Sequence, residues 1–182
     1  MRGFSGRNSW SAVLLAFAWL LLGTTEGLAA HSCGGARVVT SAGRGFLAAA
    51  RSGSPAAFSR VLSHHVNMRS IAFFALGRYR RKLPRRTYGR FIALSRRYVS
   101  RKLAAYAGQF RGGAMEVSRC RGNVVETRLS PSGQRVLWRL RAGRIADVRI
   151  AGVWLALALR RHFAGLIRQA GGDMQLFMAR LK

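Results

Sequence analysis

The chain has 182 residues, room for one domain with a real core and too few for two comfortable ones. Its 32 lysines and arginines face only 5 acidic residues, for a net charge of +27, so an acid–base catalyst would have few groups to draw on. Two isolated cysteines exclude a structural zinc site.

Arg2 and Arg7 open the chain, Ser11 to Leu22 is an apolar run, and Gly27-Leu28-Ala29-Ala30 supplies small residues. This is the layout of a secretory signal peptide. The run is shorter than the ~20 residues that span hydrocarbon, so residues 1–30 are expected to be a cleaved leader and 31–182 a single soluble domain. Losing Arg2, Arg7 and Glu26 leaves +26, so the charge belongs to the mature chain. A pI near 12 suits a nucleic-acid binder, but an exported compartment argues against that partner. The same surface would be drawn to anionic lipid headgroups. Arginine as an ordinary solvated residue gives the same count, and both readings stay open.

Cys33 follows the apolar run, yet Ala30-His31-Ser32 is a poor lipoprotein processing site, since a leucine would be expected in place of Ala30. A bond between Cys33 and Cys120 is permitted outside the cytosol. It is not expected, because Cys33 falls in an N-terminal segment read as mobile.

Residues 36–52 mix Val38, Val39, Phe46 and Leu47 with Gly43 and Gly45, which weakens a helix there. Ser54-Pro55 starts a clearer helix through Phe58, Val61 and Leu62. Asn67 caps the next, which carries Ile71, Phe74 and Ala75. After Pro84 the longest helix is predicted over 85–108. Tyr88, Phe91, Ile92, Tyr98, Val99 and Tyr106 form its apolar stripe, beside an arginine stripe. From Ala114 the period becomes two, and Val117, Val125, Thr127 and Leu129 alternate with charged residues as half-buried strands do. Pro131-Ser132-Gly133 is a turn. Val136, Trp138 and Leu140 mark the next strand, and 144–150 the last, with Gly152 ending the sheet. A helix over 153–169, stopped by Gly171-Gly172, and a short one over 173–181 close the chain. Helices, an antiparallel meander and helices again make an α+β plan.

Chemistry for catalysis is sparse. Glu116 and Glu126 point outward on their strands. Asp147 reads as a structural partner for an arginine such as Arg149 or Arg160. His64 and His65 are adjacent and diverge on a helix, and His162 has no acidic neighbour to orient it. Nucleophile-elbow, Walker and dinucleotide motifs are missing. The expectation is a protein that is not an enzyme, with no cofactor and no metal.

Two segments carry more. Ile71 to Pro84 (IAFFALGRYRRKLP) runs an apolar helix into a basic turn. Arg144 to Gly172 joins a strand with Asp147, the Gly152 corner, and a helix bearing Arg160, Arg161 and Phe163. In this order and separation they resemble the periplasmic phospholipid-binding proteins of the MlaC, or toluene-tolerance, family, over about residues 58–181. The resemblance implies a twisted antiparallel sheet packed against helices around a deep apolar lipid cavity. It implies a carrier that shuttles phospholipid between inner and outer membranes and maintains outer-membrane lipid asymmetry. Its partners would be an inner-membrane ABC transporter and an outer-membrane lipoprotein–porin complex, with peripheral membrane contact and no nucleic acid. A hopanoid is the alternative cargo, and a basic nucleic-acid-binding protein the rival class.

Candidates to line the cavity are Phe73, Phe74, Phe91, Tyr98, Tyr106, Trp138, Val148, Ile150, Trp154, Leu157, Phe163 and Ile167. Arg78 and Tyr79 could flank its mouth and meet a phosphate, and the resemblance places Arg160 near the pocket. The chain departs from the family pattern at Asn67, where relatives usually carry aspartate, and at Trp154, where many carry serine.

Overall fold

Ser54 and Asn67 begin two consecutive helices by the same device: a side-chain oxygen accepts an otherwise orphaned backbone N–H. Ser54 accepts from Ala57 at 3.4 Å and Asn67 from Ser70 at 3.0 Å. A computed structural model describes residues 33–110 and 112–182; the expected leader lies outside the described residues. Those residues fall within one compact unit. Its elements are α1 (Ala36–Ser52), α2 (Pro55–His65), α3 (Met68–Leu76), α4 (Tyr88–Ala105), β1 (Ala114–Arg121), β2 (Val124–Ser130), β3 (Gln134–Arg141), β4 (Arg144–Ile150), β5 (Val153–Trp154), α5 (Leu155–Gln169) and α6 (Met174–Ala179). No helix among the described residues is long and apolar enough to cross a membrane.

Residues 36–52 are helical throughout, against the reading that their glycines weaken a helix. The reason is tertiary. A Cβ at Gly43 would overlap the Met115 side chain of β1. The glycine therefore gives up propensity to let α1 sit directly on the sheet. The segment before α1 is tied down as well. Cys33 packs against the core and forms a disulfide with Cys120 of β1, across 87 residues of chain. The sequence reading did not expect this bond; the packed position of Cys33 is what makes it possible. After Pro84, residues Arg85–Thr87 make a short 3-10 turn, so α4 begins with its apolar stripe at Tyr88 and ends at Ala105, three residues inside the expected 85–108 at each end.

The five strands are antiparallel neighbours in chain order. Gly152 does not end the sheet. Ala151 and Gly152 both take positive φ, 48° and 79°, in a tight two-residue hairpin turn. It pairs Ile150 with Val153 and Arg149 with Trp154. Trp154 therefore stands in a strand, and the helix starts after it. In this meander the β2–β3 and β4–β5 turns share one end of the sheet. The other two turns occupy the opposite end.

Two apolar regions result. The first is a close-packed aromatic core among the helices. Phe91 and Phe163 are fully buried with ring centroids 6.2 Å apart, and Phe177 of α6 lies 5.4 Å from Phe163. The second lies against the sheet and surrounds a chamber.

Candidate functional site: an apolar cavity under the sheet

On the sheet's inner face, Met115, Leu129, Val136, Trp138, Val148, Ile150 and Val153 form a floor near the end that carries the 131–133 and 151–152 turns. Alternation along β3 and β4 puts Val136 with Trp138, and Val148 with Ile150, on this face. Helices supply the walls at helical spacing. Gly43, Phe46, Leu47 and Ala50 come from α1, Phe58 and Leu62 from α2 with Val66 just after it, Leu103 from α4, and Leu155 with Ala158 from α5. Phe110, on the 3-10 turn after α4, closes one side.

The chamber measures about 270 Å³ and is partly open to one side, and all eighteen lining residues are apolar. Even the one polar atom of Trp138 is spoken for: its Nε1–H donates to the buried Thr127 Oγ1 at 2.9 Å. With no polar partner, such a space stays dry. An apolar guest seated there would be favoured by about 25 cal/mol for each Å² of apolar surface it removes from water.

The cavity adjoins a second cleft of about 480 Å³, with Leu47, Phe110 and Leu129 common to both. Gln109, Ser130, Pro131, Ser132 and Gln134 line the cleft, so its polar groups are uncharged. The arrangement is amphipathic: a dry chamber opening onto a neutral, hydrogen-bonding vestibule. Among the described residues, no group of three or more His, Cys, Asp or Glu could hold a metal.

Of the fifteen candidates, Trp138, Val148 and Ile150 line the chamber. Phe73, Phe91, Phe163 and Ile167 are buried in the aromatic core instead, Phe73 edge-on to Tyr88 at 4.7 Å. Phe74, Tyr106 and Leu157 are exposed. Tyr98 stacks on His162 at 5.2 Å, and its hydroxyl meets His162 Nε2 at 2.6 Å. The histidine thus has an orienting partner the sequence did not suggest. Burial, then the nearby Lys102, pushes its pKa down. Arg78 donates to the Tyr79 hydroxyl at 3.4 Å on the exposed turn after α3, away from the chamber lining. The Arg160 guanidinium lies 5.5 Å from the Phe74 ring and closes over Gly77. Trp154 faces the other way from its chamber-lining neighbours, with Arg139 4.0 Å above its ring.

Asp147 binds no arginine side chain. Its carboxylate accepts the N–H groups of Val148 at 2.9 Å and Ala156 at 3.1 Å, capping α5 from below. Burial pushes its pKa up, and the two N–H donors and Arg139 oppose that shift. The cap fixes the helix start that carries Leu155 and Ala158 into the chamber. The lining residues that sequence reasoning missed have a signal: Gly43, Phe46, Leu47 and Ala50 follow steps of three, four and seven, and Phe58, Leu62 and Val66 steps of four.

Residues 47–182 match the family described as MlaC protein. No curated protein matches the sequence. Among solved structures, a phospholipid-binding protein from Ralstonia solanacearum, determined in complex with a phospholipid, superposes with a TM-score of 0.66. It is 16% identical, and the match covers 81% of this chain and 94% of that one.

Proposed function

Because the chain belongs to the MlaC family, we propose that it is a periplasmic carrier that takes up lipid by its acyl chains. The observation that supports this reading is the chamber itself: eighteen apolar lining residues around about 270 Å³. The Ralstonia solanacearum protein of the same fold was solved with a phospholipid, and a two-chain glycerophospholipid is the cargo we assign. Tails occupy the space between α1 and the sheet, and the headgroup remains at the neutral vestibule. At about 270 Å³ the chamber lies just under the ~300–1,000 Å³ of pockets that enclose a drug-sized ligand. The adjoining cleft of about 480 Å³ adds room beyond it.

Residues 1–30 direct export and are removed, leaving 31–182 as the lipid-binding domain. The protein acts as a carrier and not as an enzyme, and nucleic acid is not its partner. Burying a chain of about sixteen methylenes is worth on the order of 13 kcal/mol gross, so release into water is slow. Hand-over therefore falls to membrane-bound partners, an inner-membrane ABC transporter and an outer-membrane lipoprotein–porin complex, in the maintenance of outer-membrane lipid asymmetry.

Native mass spectrometry of the protein purified from its own envelope tests the reading. The expected result is a two-chain glycerophospholipid adduct that survives high salt. A polycyclic triterpenoid would replace the cargo with a hopanoid. Empty protein in every preparation would overturn the carrier.

A further inference from the structure

The sheet end that holds the chamber also carries apolar side chains that the fold leaves uncovered. Ile150, Val153 and Leu157 are 37%, 44% and 43% exposed. Ile150 and Val153 are registered partners and both line the chamber, so they belong to its rim. Leu157 is exposed in the first turn of α5, which follows the β5 strand directly.

Cations stand close to these residues along the chain. Arg149 folds back so that its Nε donates to the Gly152 carbonyl at 3.0 Å, which holds a guanidinium at the hairpin turn. Arg160 and Arg161 follow Leu157 by three and four residues, one helical turn along the same face. Arg160 also covers Phe74, another exposed aromatic. The described carboxylates lie elsewhere. Glu126 is held by Arg135 at 2.8 Å, Asp147 is buried, Glu116 is on the opposite edge strand, and Asp173 caps α6.

We propose that this rim docks on an anionic lipid bilayer with the chamber mouth toward the membrane; the proposal rests on the carrier reading above. Three exposed side chains are too little for the ~1,200–2,000 Å² of a stable protein interface. A few apolar groups dipping into the headgroup boundary, flanked by arginines, suffice for reversible membrane attachment.

Flotation of the purified chain with phosphatidylcholine vesicles, with and without phosphatidylglycerol, tests the surface. Binding is expected only with phosphatidylglycerol and should weaken as salt rises. Leu157→Glu, outside the chamber lining, is expected to lower the bound fraction about tenfold. It should leave co-purified lipid per folded molecule unchanged. Leu176→Glu alters an equally exposed leucine on α6, beyond the far end of α5, and should bind like the wild type. Three results would overturn the proposal: no binding to either vesicle, wild-type binding by Leu157→Glu, or binding only when envelope proteins are present. Vesicle binding by a protein that never carries lipid would support the surface and strike the carrier reading alone.

Discussion

Asp147 lies beneath the first turn of α5, where one carboxylate oxygen serves two backbone N–H groups and burial opposes its charge. The geometry of acceptance matters more here than the charge. Asp147→Ala orphans both donors and should cost about 1–3 kcal/mol in urea unfolding. Asp147→Asn keeps an acceptor oxygen and sheds the buried charge, so it should stay within about 1 kcal/mol of the wild type. Equal losses in the two variants would make the charge, and Arg139 beside it, the essential part. From sequence, the only visible partners for an isolated aspartate among so many arginines are those arginines. A cap delivered from a neighbouring strand leaves no local pattern, because capping signals lie within a few residues of the helix they start.

Among the elements, α1 and the β3–β4 pair make the contrast that governs the site. Alternation along β3 and β4 announces its buried face, and Trp138, Val148 and Ile150 were accessible to reasoning for that reason. In α1 the glycine that lowers helix propensity is the residue that lets the helix approach Met115, so propensity and packing point opposite ways. The two-residue β5 is too short to show any period. Aromatic candidates chosen for size went mainly to the core, since close packing claims large apolar side chains first. The chamber wall is built largely of Leu, Val, Ala and Gly, residues the choice by aromatic size passed over. Ala158 on α5 lines it and is only partly buried. Ala158→Phe should occupy the chamber, reduce co-purified lipid per folded molecule at least severalfold and raise the stability of lipid-free protein by about 1–3 kcal/mol. Mass spectrometry and thermal unfolding on one preparation check both effects; unchanged lipid content would mean that the tails do not rest against α5.

For the whole molecule, the Cys33–Cys120 bond and the apolar chamber act on one balance. In the chain-entropy account, closing 87 residues is worth about 4–5 kcal/mol, and a guest in the chamber adds stability by covering its apolar wall. The double variant Cys33→Ala/Cys120→Ala should lose about 4–5 kcal/mol in guanidinium unfolding, with the lipid-free form hit hardest relative to its margin. A loss below about 1 kcal/mol would show that packing alone holds the segment before α1. Bond and guest are also both supplied by surroundings, one by an oxidant and the other by a membrane. A chain made in a reducing cytosol, with no lipid to take up, lacks both contributions and has little reason to fold early. Its stability then becomes a form of address, granted where the two ingredients meet and withheld along the way.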